Sequence, residues 1–242
     1  MSLKIFVDFD GTITQHDVGN AFFQTFAGPR CQALIEEYRH GRMSATDCFR
    51  QEAEAVGMVN KTDADLFFRS QPIDNGFRDF VRYCEDHEID LLVVSDGLDY
   101  YIREIFEANG IRGVRFLANH AQFVPADGNG LCRLNLQFPF TDAECTRCAC
   151  CKRNAMVTRS ADEDIIVYVG EGYSDTCPAQ YADIVFAKAQ LQAFCQNVNV
   201  SYYPYVDFHD IISRLKVLKD RGKQLRHNRR AELMRRDRFL QE

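Results

Sequence analysis

Short apolar runs that end on acidic, hydroxyl or glycine residues recur along this chain, and that recurrence narrows the fold more than any other feature. Leu3-Lys4-Ile5-Phe6-Val7 stops at Asp8-Phe9-Asp10-Gly11-Thr12, and residues 89–94 stop at Ser95-Asp96-Gly97. Residues 165–169 stop at Gly170-Glu171-Gly172, and a shorter run covers 184–187. Apolar runs of this length, bounded by turn formers, read as strands buried on both faces, as in a parallel sheet. Helical patterns lie between them. Phe77, Phe80, Val81 and Cys84 share one face within 76–88, and 98–109 is closed by Gly110. The alternation predicts an α/β fold, a doubly wound parallel sheet whose ligand site lies at the carboxyl ends of the strands. The acidic and hydroxyl residues sit at those ends.

Residues 15–72 carry no strand-like run. Phe22, Phe23 and Phe26, then Leu34, Ile35 and Tyr38, recur at helical spacing, and the stretches starting at Ser44 and Thr62 read as helix starts with an acid three residues on. The pattern predicts a core domain formed by 1–14 and 73–242, with a helical cap domain of 15–72 inserted after the first strand. Residues 114–140 read as a β-excursion turning at Asp127-Gly128-Asn129-Gly130.

At 242 residues and 46% hydrophobic, the chain can bury a core without disulfide staples. No apolar run reaches membrane-spanning length, and the N-terminus has no signal-peptide pattern, so a cytoplasmic protein is expected, and its ten cysteines are expected to be free thiols or metal ligands. The net charge is −6, yet residues 214–242 hold eleven Lys/Arg against four Asp/Glu, which leaves the remainder strongly acidic. That balance argues against a generic nucleic-acid binder. The basic tail reads as a terminal helix packing a Leu225, Leu233 and Leu240 face, on its own chain or on a second subunit of a homodimer, or else as an anion-binding or partner-binding arm.

Carboxylates at i and i+2 on a strand end point to one face. Asp8 and Asp10 would repel each other without a proton or cation between them, so Mg²⁺ held by oxygens is one solution, and a covalent carboxylate nucleophile is another use of the pair. A plain surface turn is the competing reading.

Asp8-Phe9-Asp10-Gly11-Thr12 resembles the signature of the haloacid dehalogenase superfamily. Val93-Val94-Ser95, Lys152 ahead of a helical stretch, and Gly170-Glu171-Gly172-Tyr173-Ser174-Asp175 resemble its other three motifs, in order. The insert after the first motif resembles the cap of phosphoserine phosphatases. Residues 8–14, 93–99, 145–153 and 182–188 look like the methylthiopentenyl-phosphate phosphatase branch, and the resemblance runs from residue 3 to about 215.

The resemblance implies a Mg²⁺-dependent phosphatase acting on a small phosphorylated metabolite. Asp8 would be the nucleophile that forms an aspartyl-phosphate, and Asp10 the general acid and base. Ser95, Asp96, Lys152, Gly11 and Thr12 would bind phosphate. Asp8, Asp10, Glu171 and Asp175 would surround the metal, with Asp175 holding either metal-bound water or Lys152. Glu171 departs from the family pattern, which has Asp there. Asp17 stands where phosphoserine phosphatases carry a substrate-binding Glu; it reads either as a substrate contact or as a helix cap. His16 and Tyr173 are weaker substrate candidates. Phosphoserine, phosphocholine or phosphoethanolamine are alternative substrates, and a phosphotransferase or phosphomutase could use the same intermediate. A non-enzymatic regulatory protein of this fold would not need both aspartates.

Cys145, Cys148 and Cys151 have the C-x2-C-x2-C spacing of a metal site, beside Cys150 and Lys152. A redox-sensitive pair and a turn of reduced thiols are the alternatives.

Overall fold

A computed structural model describes residues 2–126, 130–143, 145–220 and 225–239. The strands are β1 (Leu3–Val7), β2 (Val59–Asn60), β3 (Asp90–Leu98), β4 (Arg115–Pro125), β5 (Leu131–Gln137), β6 (Ile165–Gly170), β7 (Ile184–Ala187) and β8 (Tyr203–Pro204). They form a single sheet in the order β2-β5-β4-β3-β1-β6-β7-β8. The strands from β4 through β3, β1, β6 and β7 to β8 run parallel, and β5 pairs antiparallel with β4 and with β2. β6 is buried along its whole length and β1 from Ile5 to Val7, as two covered faces require.

Helices α1 (Val18–Ala27), α2 (Arg30–Arg39), α3 (Ala45–Val56) and α4 (Lys61–Arg69) fill the insert after β1. The crossovers and the C-terminal part supply α5 (Phe77–Asp86), α6 (Asp99–Ala108), α7 (Lys152–Val157), α8 (Ala189–Asn197), α9 (Phe208–Asp220) and α10 (Arg229–Phe239). The insert shares its core with the sheet. Phe22 packs against Phe23, Phe26 and Phe68, and the Phe68 ring lies 5.6 Å from Tyr101 of α6.

Several local expectations shift. β3 continues past Val94 through Ser95, Asp96 and Gly97, with an irregularity in its pairing to β4 between Val94 and Leu98. The insert contains a strand after all: β2 pairs Val59 and Asn60 with Cys132 and Leu131, and two residues are too few to leave a period-2 pattern. Ser44 caps α3 by accepting from the Asp47 N–H at 3.1 Å. α4, however, is capped by Asn60, which accepts from the Thr62 N–H at 2.8 Å, two residues ahead of the expected start.

The β-excursion is present as β4 and β5, while the 127–129 part of its expected turn lies outside the described residues. The tail helix packs by other residues than expected: Leu233 is 50% exposed and Ala231 is buried. Arg235 reaches Asp183 and the Tyr181 carbonyl, and Arg230 the Val198 carbonyl. Leu240 lies outside the described residues. No described helix is long and apolar enough to cross a membrane.

Candidate active site

Asp8 and Asp10 leave the end of β1 and line one cavity of about 320 Å³, which also takes residues from the insert. Its floor is built around Lys152, the first residue of α7, which is 1% exposed. The Lys152 ammonium donates to Asp8 Oδ1 at 2.6 Å, to Asp175 Oδ1 at 2.7 Å and to Ser174 Oγ at 2.9 Å, which uses all three of its protons. Asp175 is saturated. It also accepts from the Tyr168 hydroxyl at 2.5 Å and from the Glu171 and Gly172 N–H groups, both at 2.9 Å. Lys152 and these donors hold the Asp175 carboxyl below its ordinary value despite burial. Of the two roles expected for it, Asp175 fills that of Lys152 partner. It has no free oxygen for a metal, so its place among the metal ligands is withdrawn.

The two strand-end aspartates have different surroundings. Asp8 Oδ1 is committed to Lys152, while Oδ2 has only the Thr12 hydroxyl, 3.4 Å away. Burial and the Asp175 charge push Asp8 up, and Lys152 opposes them. Asp10 Oδ2 accepts from the Tyr101 hydroxyl at 2.5 Å and from Ser95 Oγ at 3.4 Å, and Oδ1 accepts from the Val18 N–H at 3.0 Å. Burial first, and then the Asp17 charge, push Asp10 up to about 7, against the pull of Tyr101. A carboxyl poised there can both give and take a proton near neutrality.

Tyr101 could not be placed from the sequence. Its hydroxyl fills the space beside Gly97 where a Cβ would stand 1.6 Å away, so only glycine at 97 lets the tyrosine reach Asp10. Ser174 and Tyr168 were likewise missed as Lys152 and Asp175 partners; the glycine at 97, two residues after Ser95, was the available signal for a close approach.

Other candidates land in different roles than expected. The Gly11 N–H is already donated to the His16 carbonyl and to Thr14 Oγ1, both at 3.1 Å, and is therefore not free for phosphate. Gly11 is needed for its shape: its φ is +71°, and a Cβ would stand 2.9 Å from Glu171 Oε1. Ser95 is fully buried, accepts from the Gly97 N–H at 3.0 Å and faces Asp10. Asp96 lines the cavity, but its Oδ1 is held by the Ala149 and Cys150 N–H groups at 2.6 and 2.7 Å, which anchors the loop leading to Lys152. The Asp17 side chain accepts from the Asn20 N–H at 2.8 Å as the cap of α1, and it also lines the cavity. Tyr173 lines the cavity too, edge-on to Tyr38 at 6.2 Å. His16 is exposed and outside the lining; it contributes its carbonyl to the loop.

Cys145 and Cys148 lie within hydrogen-bonding reach of each other, with no third ligand converging on them. Among the described residues no three His, Cys, Asp or Glu side chains converge to hold a metal, which removes Cys145, Cys148 and Cys151 as a ligand trio. Cys148 and Cys151 are buried, Cys151 beside Asp142 at 4.0 Å, and Cys145 is half-buried. A hydrogen bond from the Cys148 thiol pulls Cys145 down to about 5.

A divalent cation at the mouth of the floor needs fewer side chains than that. Glu171 lies against the Gly11 turn, and its carboxylate takes no hydrogen bond among the described residues; burial and the Asp175 charge push it up. Asp8, Asp10 and Glu171 line one cavity with Lys152, and although their side chains do not converge on a single point, oxygen anions of this kind suit a hard cation.

The family profile described as "Putative Phosphatase" matches residues 3–195. The chain belongs to this family. It is a phosphatase of the haloacid dehalogenase type. It is 29% identical over 224 residues to the 2-hydroxy-3-keto-5-methylthiopentenyl-1-phosphate phosphatase of Lysinibacillus sphaericus (strain C3-41), covering 89% of this chain and 95% of that one. It is 28% identical over 220 residues to the enzyme of the same name from Exiguobacterium sibiricum, covering 89% and 97%. The fold is shared with a solved phospho-aspartyl intermediate analogue of phosphoserine phosphatase, at a TM-score of 0.64 and 13% identity, over 88% of this phosphatase and 98% of that chain. Phosphoserine phosphatase from T. onnurineus superposes at a TM-score of 0.61 and 16% identity, over 89% and 95%.

Proposed function

We propose that this phosphatase hydrolyses a small-metabolite phosphomonoester through an aspartyl-phosphate on Asp8, with Mg²⁺ as cofactor. The observation that carries the reading is the asymmetry of Asp8: Lys152 holds Oδ1 at 2.6 Å, while Oδ2 has no partner closer than Thr12 at 3.4 Å. Oδ2 is the nucleophile. It forms a bond to phosphorus as the bond from phosphorus to the leaving-group oxygen breaks, and protonated Asp10 gives that oxygen its proton. Asp10, now a carboxylate, takes a proton from the water that attacks the aspartyl-phosphate, which restores Asp8 and releases inorganic phosphate.

Lys152, on the cavity lining, and Ser95, behind Asp10, would hold phosphoryl oxygens once the ester displaces their present contacts, and the Tyr101 hydroxyl would aim Asp10. The Asp8 carboxylate, the Asp10 carbonyl and Glu171 would hold Mg²⁺, which would neutralise phosphoryl charge when bound. Residues 15–72 act as the cap that supplies the leaving-group wall and excludes water.

The names of the relatives, together with Phe23, Phe49 and Ile35 on the cap wall, favour a 2-hydroxy-3-keto-5-methylthiopentenyl-1-phosphate-like substrate. Cysteines present as free thiols suit the cytoplasm. The test is phosphate release from that ester, phosphoserine, phosphocholine and phosphoethanolamine, with Mg²⁺ and with EDTA. Release that requires Mg²⁺ and falls roughly 10⁴-fold or more in Asp8→Asn is expected. Equal release by Asp8→Asn would sink the covalent route.

A further inference from the structure

Ala45, Cys48, Phe49 and Glu52 form one stripe of α3, spaced as a buried helix face, and all four line the active-site cavity. Three of them are apolar or small, and the fourth is a carboxyl. Glu52 is 5% exposed, and its side chain has no hydrogen bond or ion pair among the described residues. The carboxyl opens on the substrate cavity, where a ligand can supply the hydrogen bond that the described residues do not.

We propose that Glu52 is a specificity-determining residue whose carboxyl hydrogen-bonds an uncharged oxygen, hydroxyl or carbonyl, on the leaving group, selecting esters of small neutral oxygenated alcohols over ammonium-bearing ones. The proposal rests on the phosphatase reading and adds the class of leaving group. The charge at this end of the cavity supports it. Asp17 is the carboxylate near Glu52, and Arg39, on the same lining, answers Asp17. The other titratable groups facing Glu52 are the Cys31 and Cys48 thiols of α2 and α3. Burial, then the Asp17 charge, push the Glu52 carboxyl up to about 8, so at neutral pH it keeps its proton and can donate. With Glu52 neutral, Asp17 and Arg39 balance, and the wall has no net charge for an ammonium to meet. Phe23 and Phe49 beside it add apolar surface around a few polar points, the arrangement that orients a small ligand.

The experiment compares wild type, Glu52→Gln and Glu52→Leu on dihydroxyacetone phosphate, phosphoethanolamine and p-nitrophenyl phosphate, with Asp8→Asn as the control. The quantity read is the ratio of kcat/KM for dihydroxyacetone phosphate over that for p-nitrophenyl phosphate. An amide still donates and accepts, so the ratio is expected to stay within about threefold in Glu52→Gln and to fall at least roughly tenfold in Glu52→Leu. A raised melting temperature in Glu52→Leu would show that the variant is folded and that the buried acid was a cost. An unmoved ratio in Glu52→Leu, an equal fall in Glu52→Gln, or a wild-type preference for phosphoethanolamine would overturn the proposal. If no probe shows Asp8-dependent turnover, the phosphatase reading itself fails, and this inference goes with it.

Discussion

The two ends of the cavity are built on opposite principles. At the floor, Lys152, Asp175, Tyr168 and Ser174 are tied to one another, while Asp8 Oδ2 and the Glu171 carboxylate have no close partner among the described residues. At the wall built by the insert, Glu52 is buried and has no hydrogen bond among the described residues. A saturated network fixes geometry, because every group that moves breaks a bond to another. An unsaturated wall leaves the last contact to the ligand. Phosphoryl transfer needs the first property, and a choice of leaving group needs the second.

The largest test of the contrast is Lys152→Met. It strands Asp8 and Asp175 in the interior, and removing one partner of a buried ion pair costs about 3–5 kcal/mol, or roughly 10 °C in a chain of this size. Thermal unfolding at pH 7 measures it; a variant as stable as wild type would show that the floor is not the tight network described.

A smaller effect is expected at the seam, in Gly11→Ala. The left-handed backbone at 11 costs a side chain about 1–2 kcal/mol, and the new Cβ also pushes on Glu171 Oε1, so Mg²⁺-dependent activity should fall further than stability does. Titrating Mg²⁺ against activity separates the two effects. A rise in the Mg²⁺ requirement supports the role of Glu171, and a stability loss with an unmoved requirement refutes it.

The third effect has the opposite sign. The folded state keeps the Glu52 proton up to about 8, whereas the unfolded chain releases it near the ordinary 4.5, so between those values the native form binds more protons. The stability this contributes is complete below about 4.5 and is lost as pH rises through about 8. Glu52→Gln lacks the group, so its melting temperature should gain on wild type from pH 5 to pH 8. A gap that stays flat over that range would mean that Glu52 already has a partner at the wall.

The sequence carried the floor better than the wall. Apolar runs ending in Asp8, Ser95 and Glu171 marked the strand ends, because buried parallel strands leave a composition that periodicity can detect. What joins them side by side is long-range. That Tyr101 reaches Asp10, that Tyr168 reaches Asp175, and that Asp96 turns to the Ala149 and Cys150 N–H groups depend on which strands become neighbours, and no local pattern encodes that. Glu52 was invisible for another reason: an acid in an amphipathic helix reads as a solvated face until the neighbouring helices close over it. The C-x2-C-x2-C spacing misled because spacing places residues along a chain, whereas a metal trio needs convergent side chains.

The Lys152 to Asp8 bond joins residues 144 positions apart in the chain. Closing so long a loop is entropically costly and comes late, after nearer contacts have made the sheet worth assembling. During synthesis from the N-terminus, the first strand and the whole helical insert are made before the lysine that completes the floor exists. Until then the ammonium that holds Asp8 Oδ1 is missing. The nascent protein therefore carries Asp8, the proposed nucleophile, without the lysine that holds it for more than half of its synthesis, and the floor is complete only with the final third of the chain.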